Sequence, residues 1–400
     1  MLKQRLLMAA AYGTPPVGGN LYSFGPNNVG ATAQNTTSGT TLSPTACVDS
    51  HNTWTQISVS SENYSTPAYE AVMAIQSNGT LWSWGANYVT PYGQYGQIGQ
   101  GASATNILVP TQVTGATNWN SVSQNIYGGL GTRSDGTLWS WGIDSGSGEL
   151  GQGASANPVV PTRVGVLTTW AKVFSGISTT FIIDTSGQLW GLGNNNYYNM
   201  GQGSNTPGSI TTPILISSAS WVFISASQTG TIGIQSNGTA WSWGTDSNGE
   251  LCNGVGTSAK VPTQIGVATN WTYAATNSIG IYAFSFLINS LGQLWTAGNN
   301  ANYSTGRGTN SGNTATLTQI TGASNWSTIS TFSSYSSLPA AYSGAVARRT
   351  DNTIWSWGTY TAGAAGQGAA SGTITTPTQI TGANFSYLAP SKGYVTILHT

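Results

Sequence analysis

Four hundred residues with 38% hydrophobic content are enough for one large domain or several small ones, but only 5% of them are charged and 53 are glycine. The formal net charge is zero, from 10 basic and 10 acidic residues that never form a run, so counterion release has almost nothing to work with and nucleic acid is excluded as a partner. Two cysteines exclude a disulfide framework and a cysteine zinc site, no apolar run reaches the roughly 20 residues of a membrane span, and 16 Trp with 18 Tyr supply a core that a disordered chain lacks.

The chain opens with MLKQRLLMAAAYG. Lys3 and Arg5 precede an apolar part of Leu6, Leu7, Met8 and alanines, shorter than the core of a secretion signal. With Leu2 these residues make residues 1–18 a candidate arm that docks into a neighbouring subunit, the alternative being a frayed tail. Residues 19–400 read as a single domain.

From there one motif recurs: LYSFG at Leu21, LWSWG at Leu81 and Leu138, LWGLG at Leu189, AWSWG at Ala240, LWTAG at Leu294 and IWSWG at Ile354. The steps are 60, 57, 51, 51, 54 and 60 residues, and a fixed period of this size is the signature of a repeat architecture. Turn residues such as Asn78-Gly79, Asp135-Gly136 and Asn237-Gly238 precede the motif, which makes it the return strand of a hairpin. Between copies stand an aromatic, at Trp54, Trp119, Trp170, Trp221, Trp271, Trp326 and Phe385, and Pro-Thr strand starts such as VPTQV at Val109 and VPTRV at Val160.

Each repeat therefore holds four short strands: A from the aromatic, B into the turn, C with the motif, and D after a Gly-rich loop. Seven such sets predict an all-β fold, a seven-bladed β-propeller of four-stranded blades. The chain begins with a lone C and D and ends with a lone A and B, so the N-terminal pair is expected to complete one blade with the C-terminal pair and close the ring. Side chains alternate along a strand, which sets both Trp residues of the motif on one face. Trp82, Trp84, Trp139, Trp141, Trp190, Trp241, Trp243, Trp295, Trp355 and Trp357 are expected to be wedges between blades, each burying roughly 150–250 Å².

The motif, the GQG loops (YGQIGQG at Tyr95, ELGQG at Glu149, NMGQG at Asn199, AAGQG at Ala364) and the Pro-started strand together resemble the regulator of chromosome condensation repeat family. The resemblance covers about residue 19 to 400 and implies a seven-bladed propeller. It implies no single function, since members include exchange factors for a small GTPase, inhibitors of β-lactamase, ubiquitin-ligase modules and surface proteins of bacteria and phages.

No catalytic constellation is visible: His51 and His399 are the only histidines, and no nucleophile sits in an elbow such as GxSxG. DSGSGE at Asp144 and DSNGE at Asp246 alternate oxygen ligands with glycine, but the 12-residue calcium pattern is absent and Asp/Asn turn chemistry explains both. No metal, cofactor or enzymatic activity is expected. Recognition is expected from tyrosine-rich loops. Tyr64 and Tyr69, with Tyr335 and Tyr342, lie in two long A-to-B loops on either side of the closing blade; Tyr88, Tyr92, Tyr95, Tyr197 and Tyr198 lie in C-to-D loops, expected to project from strand ends elsewhere.

The charge-poor surface and the arm lead to the expectation of a non-enzymatic structural or recognition protein. A bacteriophage virion component contacting other virion proteins or a host surface receptor or glycan comes first. The alternatives are a secreted or cell-surface glycan-binding adhesin, and an intracellular partner-binding propeller of the GTPase-exchange or enzyme-inhibitor type. The expected location is the virion or, alternatively, the extracellular surface.

Overall fold

The structure, a computed structural model, describes residues 20–399 apart from 28, 50, 52, 61–69, 90–93, 104, 154–155, 278–281, 311, 334–341, 362, 382–384 and 391–394, and gives the backbone alone for 26, 89, 94, 95, 386–390 and 395–399. The chain folds as a β-propeller of four-stranded antiparallel blades. Six sheets take their strands in chain order, with a two-stranded ribbon of Tyr88–Val89 and Gln94–Tyr95 set between the third and fourth strands of the first. Sheet 1 holds Trp54–Val59, Ala71–Gln76, Leu81–Gly85 and Ile107–Gln112; sheet 2, Trp119–Gln124, Gly128–Arg133, Leu138–Gly142 and Thr162–Val164. Sheet 3 holds Trp170–Ser175, Thr179–Asp184, Leu189–Asn194 and Ser209–Ser217; sheet 4, Trp221–Ala226, Gly230–Gln235, Ala240–Gly244 and Ala259–Gln264. Sheet 5 holds Trp271–Asn277, Phe284–Asn289, Leu294–Gly298 and Thr314–Gln319; sheet 6, Trp326–Ser333, Ser343–Arg349, Ile354–Tyr360 and Gly372–Gln379. Sheet 7 draws on both ends of the chain in the order Thr40–Ala46, Asn20–Pro26, Val395–His399, Phe385–Pro390, with Asn20 opposite His399 and Phe24 opposite Val395.

The A strands touch one another from sheet to sheet, and Phe385–Pro390 lies against both Trp326–Ser333 and Trp54–Val59. That places A innermost and D, half-exposed along its length, on the rim. An inner strand has one hydrogen-bonding edge without a strand partner, and a buried unpaired amide is costly. Side chains of the preceding sheet meet the need: Gln124 donates its N–H to Ser58 Oγ (2.9 Å), Val173 to Ser121 Oγ (3.3 Å), Ser175 to Ser123 Oγ (2.8 Å) and Thr276 to Ser225 Oγ (3.0 Å).

The B-to-C hairpins explain the first Trp of the motif. Asn78 Oδ1 accepts from the Thr80 N–H and hydroxyl, and Trp82 Nε1 donates to Thr80 Oγ1 at 2.9 Å. The relay repeats at Asp135, Thr137 and Trp139, at Asn237, Thr239 and Trp241, and at Asp351, Thr353 and Trp355. Each first indole also meets its own sheet's A-strand Trp edge to face, as in Trp54 with Trp82 (5.9 Å between ring centroids, 86° between planes) and Trp170 with Trp190 (5.4 Å, 88°). These half-buried indoles fasten the hairpin to strand A within one sheet.

The second Trp crosses to the neighbour. Trp84 Nε1 donates to Ala31 O of sheet 7 (3.0 Å), Trp243 to Asn199 O of sheet 3 (2.7 Å) and Trp357 to Ser304 O of sheet 5 (3.0 Å). Two residues beyond each acceptor the backbone turns left-handed, at Ala33 (φ 53°), Gly201 (60°) and Gly306 (69°). A Cβ on Gly201 would sit 3.2 Å from the Trp243 indole, and one on Gly306 2.8 Å from that of Trp357. Gly99 faces Trp141 in the same way at 3.1 Å, and Gly366 of sheet 6 faces Phe24 of sheet 7 at 2.9 Å. The glycine that opens each GQG triplet is thus the socket for the next sheet's wedge. Its glutamine ties strand C to strand D: Gln100 Nε2 reaches Ser83 Oγ and Thr111 O, and Gln367 reaches Ser356 Oγ and Thr378 O.

Two seams differ. Leu192 replaces the second Trp in sheet 3, opposite Gly151 (a Cβ there would lie 3.3 Å from the Leu192 side chain). Ala297 replaces it in sheet 5, where the socket position of sheet 4 is Cys252, left-handed at φ 58° and buried in the same cluster as Ala297.

Candidate protein-docking face

In an antiparallel A-B-C-D meander the A-to-B and C-to-D loops leave from the same end. The expectation that the two sets project from different places is therefore corrected: Ala86, which opens a C-to-D loop, donates to Glu70 O at the close of an A-to-B loop (2.8 Å), and Asn194 donates to Ser178 O (2.7 Å). This shared end is the loop face. The B-to-C hairpins and the D-to-A links form the other.

Each C-to-D loop starts at a glycine of positive φ at or near the end of strand C, such as Gly85 (99°) and Gly244 (111°), where a Cβ would come within 2.4 Å and 2.1 Å of the backbone oxygens of Glu70 and Thr229, just before strand B. Two residues on stands Asn27, Asn87, Asp144, Asn195, Asp246 or Asn300, whose side chain holds the loop by short-range bonds. Asn195 Oδ1 accepts from Met200 N (3.1 Å) while its Nδ2 donates to Ser204 O and Pro207 O. Asp144 Oδ1 accepts from the N–H groups of Gly146 (2.9 Å) and Gly148 (3.0 Å), and Asp246 Oδ1 from Gly249 N (2.7 Å). Both acidic loops thus use the turn chemistry their sequences suggest. Among the described residues no group of three or more His, Cys, Asp or Glu could hold a metal ion.

On this scaffold Tyr197 is 40% exposed beside exposed Asn196. Tyr198, at φ 60°, carries Lys260 Nζ 5.0 Å from its ring centroid, a contact between neighbouring sheets that the sequence reading missed. Tyr88 pairs through its backbone with Tyr95 in a two-stranded ribbon. Tyr342 packs against the cluster of Phe24, Phe332 and Phe385, so it is part core. Tyr64, Tyr69, Tyr92 and Tyr335, and the arm residues Leu2, Lys3, Arg5, Leu6, Leu7 and Met8, lie outside the described residues.

Three buried carboxyls on the loop face were also missed. Burial raises Glu70 to about 8. It raises Glu149 and Glu250 to about 7, aided at Glu250 by the hydrogen bond and like charge of Asp246. For Glu149 and Glu250 the signal in the sequence is positional: where the sibling loops carry an amide or a small residue, these carry an acid.

A family model for the regulator of chromosome condensation (RCC1) repeat matches residues 135–183. That span runs from the hairpin turn of sheet 2 through its socket loop into strand B of sheet 3, so it takes in one whole seam. Residues 135–183 are thus similar to an RCC1 repeat. Among curated relatives, RUG3 of Arabidopsis thaliana, an RCC1 domain-containing mitochondrial protein, is 29% identical over 248 residues, 58% of this chain and 53% of RUG3. The chain therefore spans about half the length of that relative. Among solved structures, Prp20p of Saccharomyces cerevisiae, which binds Gsp1p and histones, is 14% identical with a TM-score of 0.79 over 99% of this chain and 94% of its own. Human WBSCR16 is 14% identical with a TM-score of 0.74 over 96% and 99%. These two show the RCC1 fold alone.

The relatives overturn the expected virion or extracellular location, RUG3 being mitochondrial and Prp20p a binder of histones. Nothing in them supports virion proteins or a host receptor as partners, whereas binding to other proteins is what the Prp20p structures describe. Among the described residues no helix is long and apolar enough to cross a membrane.

Proposed function

We propose that this chain is a non-catalytic, closed seven-bladed propeller that works inside the cell by docking another protein on its loop face. The observation that carries the reading is the loop face itself. Its C-to-D loops are pinned by buried Asn and Asp side chains and present Tyr197, Tyr198 and Asn196, with little charge, on a pre-ordered surface. Rigid aromatic and amide groups give contact area at low entropic cost. Ring closure is supported by the pairing of Asn20–Pro26 with Val395–His399 and by the seating of Phe24 on Gly366.

Prp20p binds Gsp1p and histones. Histones are strongly basic, and a chain of zero net charge offers no acidic field to draw them. A small GTPase of the Gsp1 type is therefore the partner class to test. Binding is measured by calorimetry, and release of a fluorescent nucleotide is followed alongside. Tyr197→Ala with Tyr198→Ala should weaken binding about tenfold or more, while Val267→Ser, a 93% exposed residue in a D-to-A link of the opposite face, should leave it unchanged. Absence of binding, or equal loss in both variants, overturns the proposal.

A further inference from the structure

The residue two places before the socket differs among the blades in one informative way. It is Ala31, Gln97, Asn199, Ser304 and Ala364 in five loops, and Glu149 and Glu250 in the other two. Those two acids stand in the loops whose other anchor is also an acid, Asp144 and Asp246, where most siblings carry Asn. Both seams also lack an indole, with Leu192 and Ala297 in its place, as does the seam after sheet 6, where Phe24 stands. Where Ala31, Asn199 and Ser304 accept an indole N–H from the next sheet at their carbonyls, Glu149 O takes the Thr180 hydroxyl (3.1 Å) and Glu250 O the Cys252 thiol (3.5 Å).

We propose that the seams after sheets 2 and 4 are proton-gated joints, closed while Glu149 and Glu250 are protonated and loosened when they ionise. Glu149 is fully buried; its Oε1 accepts from Ser145 N (2.8 Å) and its Oε2 has no partner. Glu250 is 1% exposed, takes the N–H groups of Ser247 and Asn248, and stands beside Asp246, whose side chain hydrogen-bonds to it. A neutral acid suits such a site because it fills the place of an amide, as Gln97 does in sheet 1. A second charge beside Asp144 or Asp246 would meet only backbone N–H groups, with no cation to offset the like charge.

The charges acting on the two glutamates are negative: Asp144 on Glu149 and Asp246 on Glu250, with the Cys252 thiol beside the latter. Among the described residues, the groups that the adjoining elements place against these loops are uncharged. They are Thr180, Ile210 and Thr211 around Gly148 and Glu149, and Asn299, Asn313, Thr314 and Ala315 around Asn248 and Gly249. An acid whose folded form holds its proton above the unfolded range makes the closed state lose stability as pH rises from about 4.5 to about 7, and none beyond. The joints are therefore tight in mild acid and loose at neutral to alkaline pH.

Cys252 reports on the sheet 4 joint directly, being buried in its socket. In the full chain with Cys47→Ser, maleimide labelling of Cys252 is followed from pH 5.5 to 8. It is divided at each pH by the rate in denaturant, which removes ordinary thiol ionisation. The ratio should rise about tenfold or more across that range, and should stay flat in Glu250→Gln. Asp246→Asn, the residue most sibling loops use, should move the rise to lower pH. A flat ratio in the parent chain, or an equal rise in Glu250→Gln or in Asp246→Asn at unchanged pH, overturns the proposal.

Discussion

Cys252 and Ala297 are 45 positions apart, yet they should behave as one unit. The perturbation is a double-mutant cycle of Cys252→Gly and Ala297→Trp, which restores the pairing found between Gly201 and Trp243. At Gly99, Gly201 and Gly306 even a Cβ would stand 3.1, 3.2 and 2.8 Å from the indole that fills the socket. A cysteine adds Sγ as well, so an indole introduced in place of Ala297 is overpacked against Cys252 at a cost of about 1–3 kcal/mol. Removing the cysteine side chain lifts that clash and leaves Glu250 O free to accept the indole N–H, worth about 1 kcal/mol. The two changes together should be more favourable than the sum of the singles by about 2–4 kcal/mol, read by equilibrium denaturation of all four chains. A coupling below about 0.5 kcal/mol would refute the socket-and-wedge account of the seams.

Gly99→Ala forces a side chain at φ 72° and 3.1 Å from Trp141, and should cost about 2–3 kcal/mol in denaturant titration. Glu70, held protonated by burial up to about 8, binds a proton that the unfolded chain releases near pH 4.5; stability should fall as pH rises between these values, and Glu70→Gln should flatten that limb of the melting-temperature profile. Arg133 lies 3.5 Å from the Trp139 ring centroid and 4.7 Å from that of Trp119, so Arg133→Ala should lose about 1 kcal/mol, more than a charge change at an isolated surface site. Deleting residues 385–400 strips Asn20–Pro26 of its Val395–His399 neighbour and should produce aggregation or a large drop in melting temperature.

The four-strand repeat and the hairpin turns were legible, because each rests on local chemistry: Asn-Gly and Asp-Gly turns, alternation, and an aromatic that opens strand A. The separate tasks of Trp82 and Trp84 were not legible, since both lie on one face and differ only in what stands opposite. Nor was the exchange of Gly and Trp for Cys252 and Ala297, which shows only when a loop of one repeat is set against a strand of the next. The placing of Tyr88 and Tyr197 on the same end as the A-to-B loops follows from counting reversals of direction. The burial of Glu149 depends on a neighbouring sheet that no local pattern reports.

The inner-strand amides donate to side chains of the preceding sheet, and the wedges insert into loops of the preceding sheet. Each sheet therefore presents two different surfaces, a front and a back, and meets its neighbours front to back. In the language of oligomers this is a heterologous contact, which continues indefinitely unless its rotation closes. Within one chain the covalent count of repeats would set the proposed closure. A chain missing sheets would expose one unsatisfied front and one unsatisfied back, each complementary to the other on a second molecule. Truncated versions should therefore polymerise rather than simply unfold.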